Sequence, residues 1–253
     1  MADENRKRIK KQRAIQKRPF DKTFVAEVLA SPVAAKAQKL FDIACGRNGQ
    51  KKRTLTIGEA RQVQNLMLFR VTIATANRPS AIARAEKYYL TNGCGEEGND
   101  DDNGSFVLFV EEHKTASSRG AAPLNMPQNV RNDLKLFYDL VRPSILSSDS
   151  PRAHQRIFTK VNGPHDERSL GATFSNFCNR CVGRKATFRD IRFTAVTCSY
   201  QKPGITRYDV ASLAKSMSHS ENTAKKYYDL TIRNKGTRRS RFLLDSVFDP
   251  TTS

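Results

Sequence analysis

Apolar positions recur along the chain at helical spacing, in runs separated by proline, glycine and charge. From Thr23 to Ala44 the pattern Phe24, Val28, Leu29, then Leu40, Phe41 is interrupted by Pro32, which predicts two short helices. Gly46 to Lys52 is a polar, basic link. Thr56-Ile-Gly-Glu59 has the form of a capping box, with each side chain returning a bond to the other's backbone. The helix it opens carries Val63, Leu66, Met67, Phe69 and Val71, apolar enough for deep burial, and runs to Asn77-Arg78-Pro79-Ser80. There Pro79 breaks it and fits the first turn of the next.

Beyond a turn-rich acidic stretch from Thr91 to Ser105, Phe106-Val-Leu-Phe-Val110 reads as a buried strand. With Ala121 to Leu124 it predicts a hairpin carrying Lys114 close to its tip. Five carboxylates in the acidic stretch fit no calcium loop, because the Gly and Asn spacing is wrong for one. A helix is expected from Pro127 (Val130, Leu134, Phe137) to Pro143, and an extended piece at Arg156 to Thr159 before the Asn162-Gly163-Pro164 turn. Further helices are expected at Leu170 to Cys181 and at 187–200, and a capped one opens at Thr206-x-x-Asp209. Ser220 is placed to cap a last short helix bearing Tyr227 and Tyr228. The fold class is therefore mainly α with a small antiparallel β-hairpin, α+β.

Charge changes the picture. The chain has 253 residues and a net charge of +19, an excess that points to a polyanionic partner, most simply nucleic acid. No apolar run nears membrane length. A block at the start, with Arg6, Lys7, Arg8, Lys10 and Lys11, reads as a basic arm suited to phosphate contact or nuclear import. Five cysteines without secretory context read as reduced thiols of an intracellular protein, in nucleus or nucleoid with its nucleic acid. Cys178-Asn-Arg-Cys181 has ligand-like spacing, but no second pair answers it, so both thiols are assigned to the buried side of a helix and no metal is expected.

The candidate chemistry lies between Gly183 and Leu230. Arg184 and Lys185 lead into Arg189-Asp-Ile-Arg192, whose two arginines lie three apart and on a helix share one face, while Ile191 and Ala195 turn another face inward. Guanidinium groups suit bidentate grip of a phosphate. Next come an imidazole, His219, and nine residues later a phenol, Tyr228, able to act as a covalent nucleophile.

Taken in order, Arg78, Lys114, Arg189-x-x-Arg192, His219 and Tyr228 resemble the catalytic series of the tyrosine recombinase (phage integrase-like) family, over roughly residues 55 to 230. Arg189-Asp-Ile-Arg192-Phe-Thr is similar to that family's His-x-x-Arg-His-Thr box, and Met217-Ser-His219-Ser to its Leu-Gly-His-Ser element. The chain departs from the pattern in carrying Arg189 where a histidine is usual, Ser218 where a glycine is, and Ala81 where many members have a carboxylate.

The resemblance implies cleavage and rejoining of double-stranded DNA through a 3′-phosphotyrosyl link, with no cofactor or metal, and assembly of a homo-oligomer, a tetramer, on DNA. It implies a basic arm (1–22), a short helical segment and linker (23–52), a catalytic domain (53–232) and a tail (233–253) exchanged between protomers. Three other readings stay open: a DNA-binding relic that no longer cleaves, a monomeric enzyme that relaxes DNA like a type IB topoisomerase, and a basic nucleic-acid-binding scaffold with no active site.

Overall fold

The computed structural model describes residues 20, 22–91, 105–111, 121–146, 155–200, 204, 206–217, 244 and 247. The first two helices, α1 (Lys22–Ala30) and α2 (Pro32–Cys45), divide at the proline as expected. Ser31 caps α2, its Oγ accepting from Ala34 N at 3.2 Å, and Pro32 takes the first turn, where no N–H is needed. Gly46 ends α2 in the left-handed region at φ 69°, which a residue without Cβ adopts freely.

The central element is α3 (Ile57–Thr75). It opens on the capping box: Glu59 N donates to Thr56 Oγ1 at 3.3 Å and Thr56 N to Glu59 Oε2 at 2.9 Å. Arg53, forked onto the same carboxylate, and the Thr56 N–H hold the Glu59 carboxyl down to about 2. From Val63 onward α3 is buried on nearly every side, packed by α2, by the β-hairpin and by α6 and α7, introduced below. Asp133 pairs with both Arg70 of this helix (2.9 Å) and Arg47, just beyond the end of α2 (2.7 Å).

After α4 (Pro79–Ala83) and α5 (Lys87–Thr91), β1 (Ser105–Val110) and β2 (Ala122–Pro127) pair antiparallel, Val110 opposite Ala122 and Ser105 opposite Pro127. The hairpin is the one expected, with β2 longer than Ala121 to Leu124. Its extra residues are buried against the core, so they extend the ladder despite a weak strand signature.

Helix α6 (Gln128–Leu136) also differs from expectation. The helical run ends at the proline as expected, but it is α only to Leu136, widening into a π turn (Phe137–Val141) and then tightening into a 3₁₀ turn (Arg142–Ser144). Pro143 enters at the start of that last turn, where its missing N–H costs nothing. Buried Arg142 stabilises the turn by stacking on Tyr138 (4.6 Å) and donating Nε to Arg156 O at 2.8 Å.

A two-residue hairpin, β3 (Thr159–Lys160) with β4 (Gly163–Pro164), is pinned onto α3 by Gln64. The Gln64 amide donates to Thr159 O and accepts from Thr159 N, both at 3.0 Å. Then α7 (Glu167–Val182) lays Leu170, Phe174, Phe177 and Cys178 inward. Phe174 bridges Phe69 of α3 (6.0 Å) to Phe188 (4.9 Å). Cys178 is buried and Cys181 half-buried, as the sequence reading assigned them; burial pushes the Cys178 thiol up to about 12. The last described helices are α8 (Phe188–Tyr200) and α9 (Arg207–Ser216).

One hydrophobic cluster spans this set, from Phe24 of α1 to Leu213 of α9, and includes Leu244 and Val247 of the tail. The architecture is α+β, mainly helical with a small antiparallel hairpin. Among the described residues no helix is long and apolar enough to cross a membrane, and no cluster of His, Cys, Asp or Glu could hold a metal ion.

Candidate active site

The site is organised at the C-terminal end of α3. That helix closes with Ala76 in the left-handed region (φ 44°), its N–H donating to Thr72 O. Asn77 follows and is fully buried. Arg78 is extended (φ −74°, ψ 147°), as a residue before proline must be, and Pro79 starts α4. The chain thus turns sharply, with Arg78 half-buried at the corner.

Asn77 ties that corner to two distant segments. Its Nδ2 donates to Pro123 O of β2 at 2.8 Å and to Ser216 O, the last residue of α9, at 3.0 Å. Its Oδ1 accepts from Arg78 N at 2.8 Å. Both amide protons and the oxygen are used, so the side chain has one arrangement open to it. Pro123 belongs to the strand that returns from the connection carrying Lys114.

Arg192 grips the neighbouring carbonyl. It is buried at 8% exposure on α8, and its Nη2 donates to Met217 O at 3.0 Å. Asn77 and Arg192 therefore hold consecutive backbone carbonyls at the end of α9, where the helix dipole concentrates negative charge. Met217 is itself fully buried, and the chain passes from it to Ser218 and His219.

The two arginines of the Arg189-x-x-Arg192 pair do not share an environment. Ile191 and Ala195 turn inward as expected, with Phe188; contrary to the expectation of one shared arginine face, Arg192 is buried whereas Arg189 is exposed. Three helical steps separate side chains by about 60°, enough for one to lie at the edge of the packed face and the other to clear it.

Of the candidate nucleic-acid contacts, Lys185 is exposed. Arg184 pairs with Glu27 at 3.0 Å and lies over the rings of Phe20 and Phe24 at 5.8 and 5.4 Å, fastening α1 to the entry of α8. Arg6, Lys7, Arg8, Lys10, Lys11, Lys114, His219, Tyr227 and Tyr228 lie outside the described residues.

Sequence reasoning missed Asn77 as more than a neighbour of Arg78. Its partners lie 46 and 139 residues away, and no local signal announces them.

No protein-family model matches the chain, and no curated protein matches it. Among solved structures it is similar to the integrase from mycobacterium phage Brujita, at 14% identity and a TM-score of 0.44, over 91% of this chain and 63% of that one. The chain thus spans less than two thirds of that integrase.

Proposed function

We propose that this protein cuts and rejoins double-stranded DNA through a covalent phosphotyrosyl intermediate. The observation that carries the reading is the shared hold of Asn77 and Arg192 on the end of α9. It fastens together the corner bearing Arg78, the strand leading from Lys114, the guanidinium of Arg192 and the segment entering His219. A basic chain with a net charge of +19 has the electrostatics to bring a DNA backbone to that place.

In this mechanism Tyr228 Oη attacks a backbone phosphorus. A phosphotyrosyl bond forms, and the bond to the 5′-oxygen breaks. Lys114 gives a proton to the departing oxygen. Arg78 and Arg192 hold the nonbridging oxygens and stabilise the charge developing on them, with Arg189 as a third phosphate contact. His219 receives the phenol's proton as Oη attacks, and the resulting imidazolium hydrogen-bonds the phosphate. Attack by a 5′-hydroxyl reverses the step and releases the enzyme, so the phosphodiester's energy is conserved in the protein link.

The test is covalent trapping on nicked duplex DNA, which requires no knowledge of the target sequence. Wild type and Tyr227→Phe should form a protein–DNA adduct, and Tyr228→Phe should form none. An adduct that persists in Tyr228→Phe refutes the assignment. A second reading, DNA binding without cleavage, is favoured by the exposed Arg189 standing where a proton-transferring histidine is usual. It predicts tight binding with no adduct from any variant.

A further inference from the structure

A second cationic feature lies at the opposite end of α3. An open cleft of about 580 Å³ runs between the first turns of α3 and the second half of α7, closed at one end by the β3–β4 hairpin. Its cations are Arg61, Lys160 and Arg180; the remaining lining residues are amides, threonines and His165, with no carboxylate among them.

The two arginines of this cleft differ from five others, which are paired with carboxylates. Arg47, Arg53, Arg70, Arg156 and Arg184 all pair with Asp or Glu. Arg180 instead donates Nη2 to the Asn65 amide oxygen at 2.9 Å, with that amide turned to donate to Arg61 O at 3.2 Å. Among the described residues neither Arg61 nor Arg180 has a carboxylate partner, and only Lys160 has one, Asp166 at 3.5 Å. A neutral acceptor fixes a guanidinium in place without cancelling its charge. The floor is uncharged and polar: burial first, then Lys160 and Arg61, hold His165 down to about 4, so the imidazole is neutral at pH 7. Guanidinium forks beside amide and hydroxyl donors suit phosphate oxygens.

We propose that this cleft is a phosphate-binding site that takes the backbone of a nucleic-acid strand, apart from the cradle around Arg78. Fourteen residues of α3 separate Arg61 from Thr75, about 21 Å of helix, too far for one phosphate to touch both ends. The proposal shares with the preceding reading only DNA as the partner, and it needs no cleavage.

The experiment measures binding of the full chain to a fluorescent DNA duplex across a range of salt. Arg61 and Arg180 are exposed, so the variant Arg61→Ala/Arg180→Ala should keep its fold. It should bind roughly ten- to thirty-fold more weakly at about 0.15 M salt, with the salt slope reduced by about 1.8. Asn176→Asp, which adds a carboxylate to the lining and removes no cation, should also weaken binding. Lys36→Ala/Lys39→Ala, two exposed charges removed from α2, serves as the control and should have a clearly smaller effect. Equal losses in the cleft and control variants would reduce the cleft to diffuse surface charge and overturn the proposal. So would unchanged DNA binding with loss of a thermal shift on adding inorganic phosphate, since the site would then serve a free anion. Cleft-dependent binding without any tyrosyl adduct would sink the recombinase reading and leave the cleft standing.

Discussion

The two ends of α3 solve the problem of placing positive charge in opposite ways. At the C-terminal end Asn77 and Arg192 are buried, and their donors meet backbone carbonyls of other segments. At the N-terminal end Arg61 and Arg180 stand in solvent over a polar cleft, the Arg180 guanidinium held by the uncharged amide of Asn65. A buried donor satisfied by backbone fixes geometry, and its loss is felt by the whole fold. A solvated cation contributes field more than architecture, and its loss is felt by a ligand. Stability and binding should therefore separate along one helix.

The largest effect is expected at Asn77. Replacing it with Ala leaves the Pro123 and Ser216 carbonyls without this donor and Arg78 N without its acceptor, in a fully buried place. That should cost roughly 3–5 kcal/mol in urea unfolding. Asn77→Asp sharpens the point. Its carboxylate would face the two carbonyls, so burial and repulsion raise its folded pKa above the unfolded value. The variant should be weaker than Asn77→Ala at pH 7 and regain stability as pH falls through that raised pKa. An Asn77→Asp protein as stable as wild type at pH 7 would break the distinction between the two ends.

Much of the frame around these residues was legible in the chain. The Thr56–Glu59 box, the break at Pro32, Pro79 at a first turn and the Phe106–Val110 strand all rest on neighbours within a few positions, where local rules suffice. The Thr206–Asp209 cap is of the same kind, with Asp209 N donating to Thr206 Oγ1 at 3.2 Å. What was not legible depends on partners far along the chain. Gln64 meets Thr159 across 95 residues, and the π turn at Phe137–Val141 exists in a particular packing and not in a propensity. In the candidate site the expected helix at 187–200 is present as α8. The spacing of Arg189 and Arg192 could not tell which arginine the core would cover, because that is decided by what packs against α8.

Arg192 comes next in size. Arg192→Ala removes the donor to Met217 O and opens space beside Ile191, so a loss of roughly 2–4 kcal/mol is expected together with loss of covalent adduct. Arg192→Lys keeps the charge without the planar fork. It should recover part of the stability and little of the adduct, and full recovery of both would mean that charge alone matters there.

The cleft floor offers a pH test with a definite sign. His165 contacts Gln64 Nε2 through Nε2 at 3.4 Å and Ser169 Oγ through Nδ1 at 3.0 Å; burial chiefly depresses its pKa, Lys160 and Arg61 add to that, and Asp166 opposes them. In the fold that pKa is held down to about 4, against about 6.5 for a freely solvated imidazole. Between these values the unfolded chain takes up a proton that the folded chain refuses, so stability falls as pH drops through the window and is fully present above it. From pH 7 to pH 5 this group should cost about 2 kcal/mol. His165→Gln, which can keep an amide contact to its neighbours, should flatten that part of the urea-unfolding profile. An unchanged slope would mean that His165 protonates freely where it stands.

Arg189 gives the smallest stability change and the cleanest separation of the two roles. It is exposed on α8, one turn from buried Arg192, so Arg189→Ala should alter unfolding by no more than about 0.5 kcal/mol. As a third phosphate contact it should still reduce trapped adduct on nicked DNA. Arg189→His places at that position a group that can exchange protons near neutral pH, which a guanidinium cannot. If the site is competent, this variant should form adduct with a new pH dependence centred near the imidazole's pKa. If Arg189→Ala instead leaves adduct yield and DNA affinity both untouched, the exposed arginine is surface charge alone, and the phosphate must be held by the buried end of α3 and by Arg192 without it.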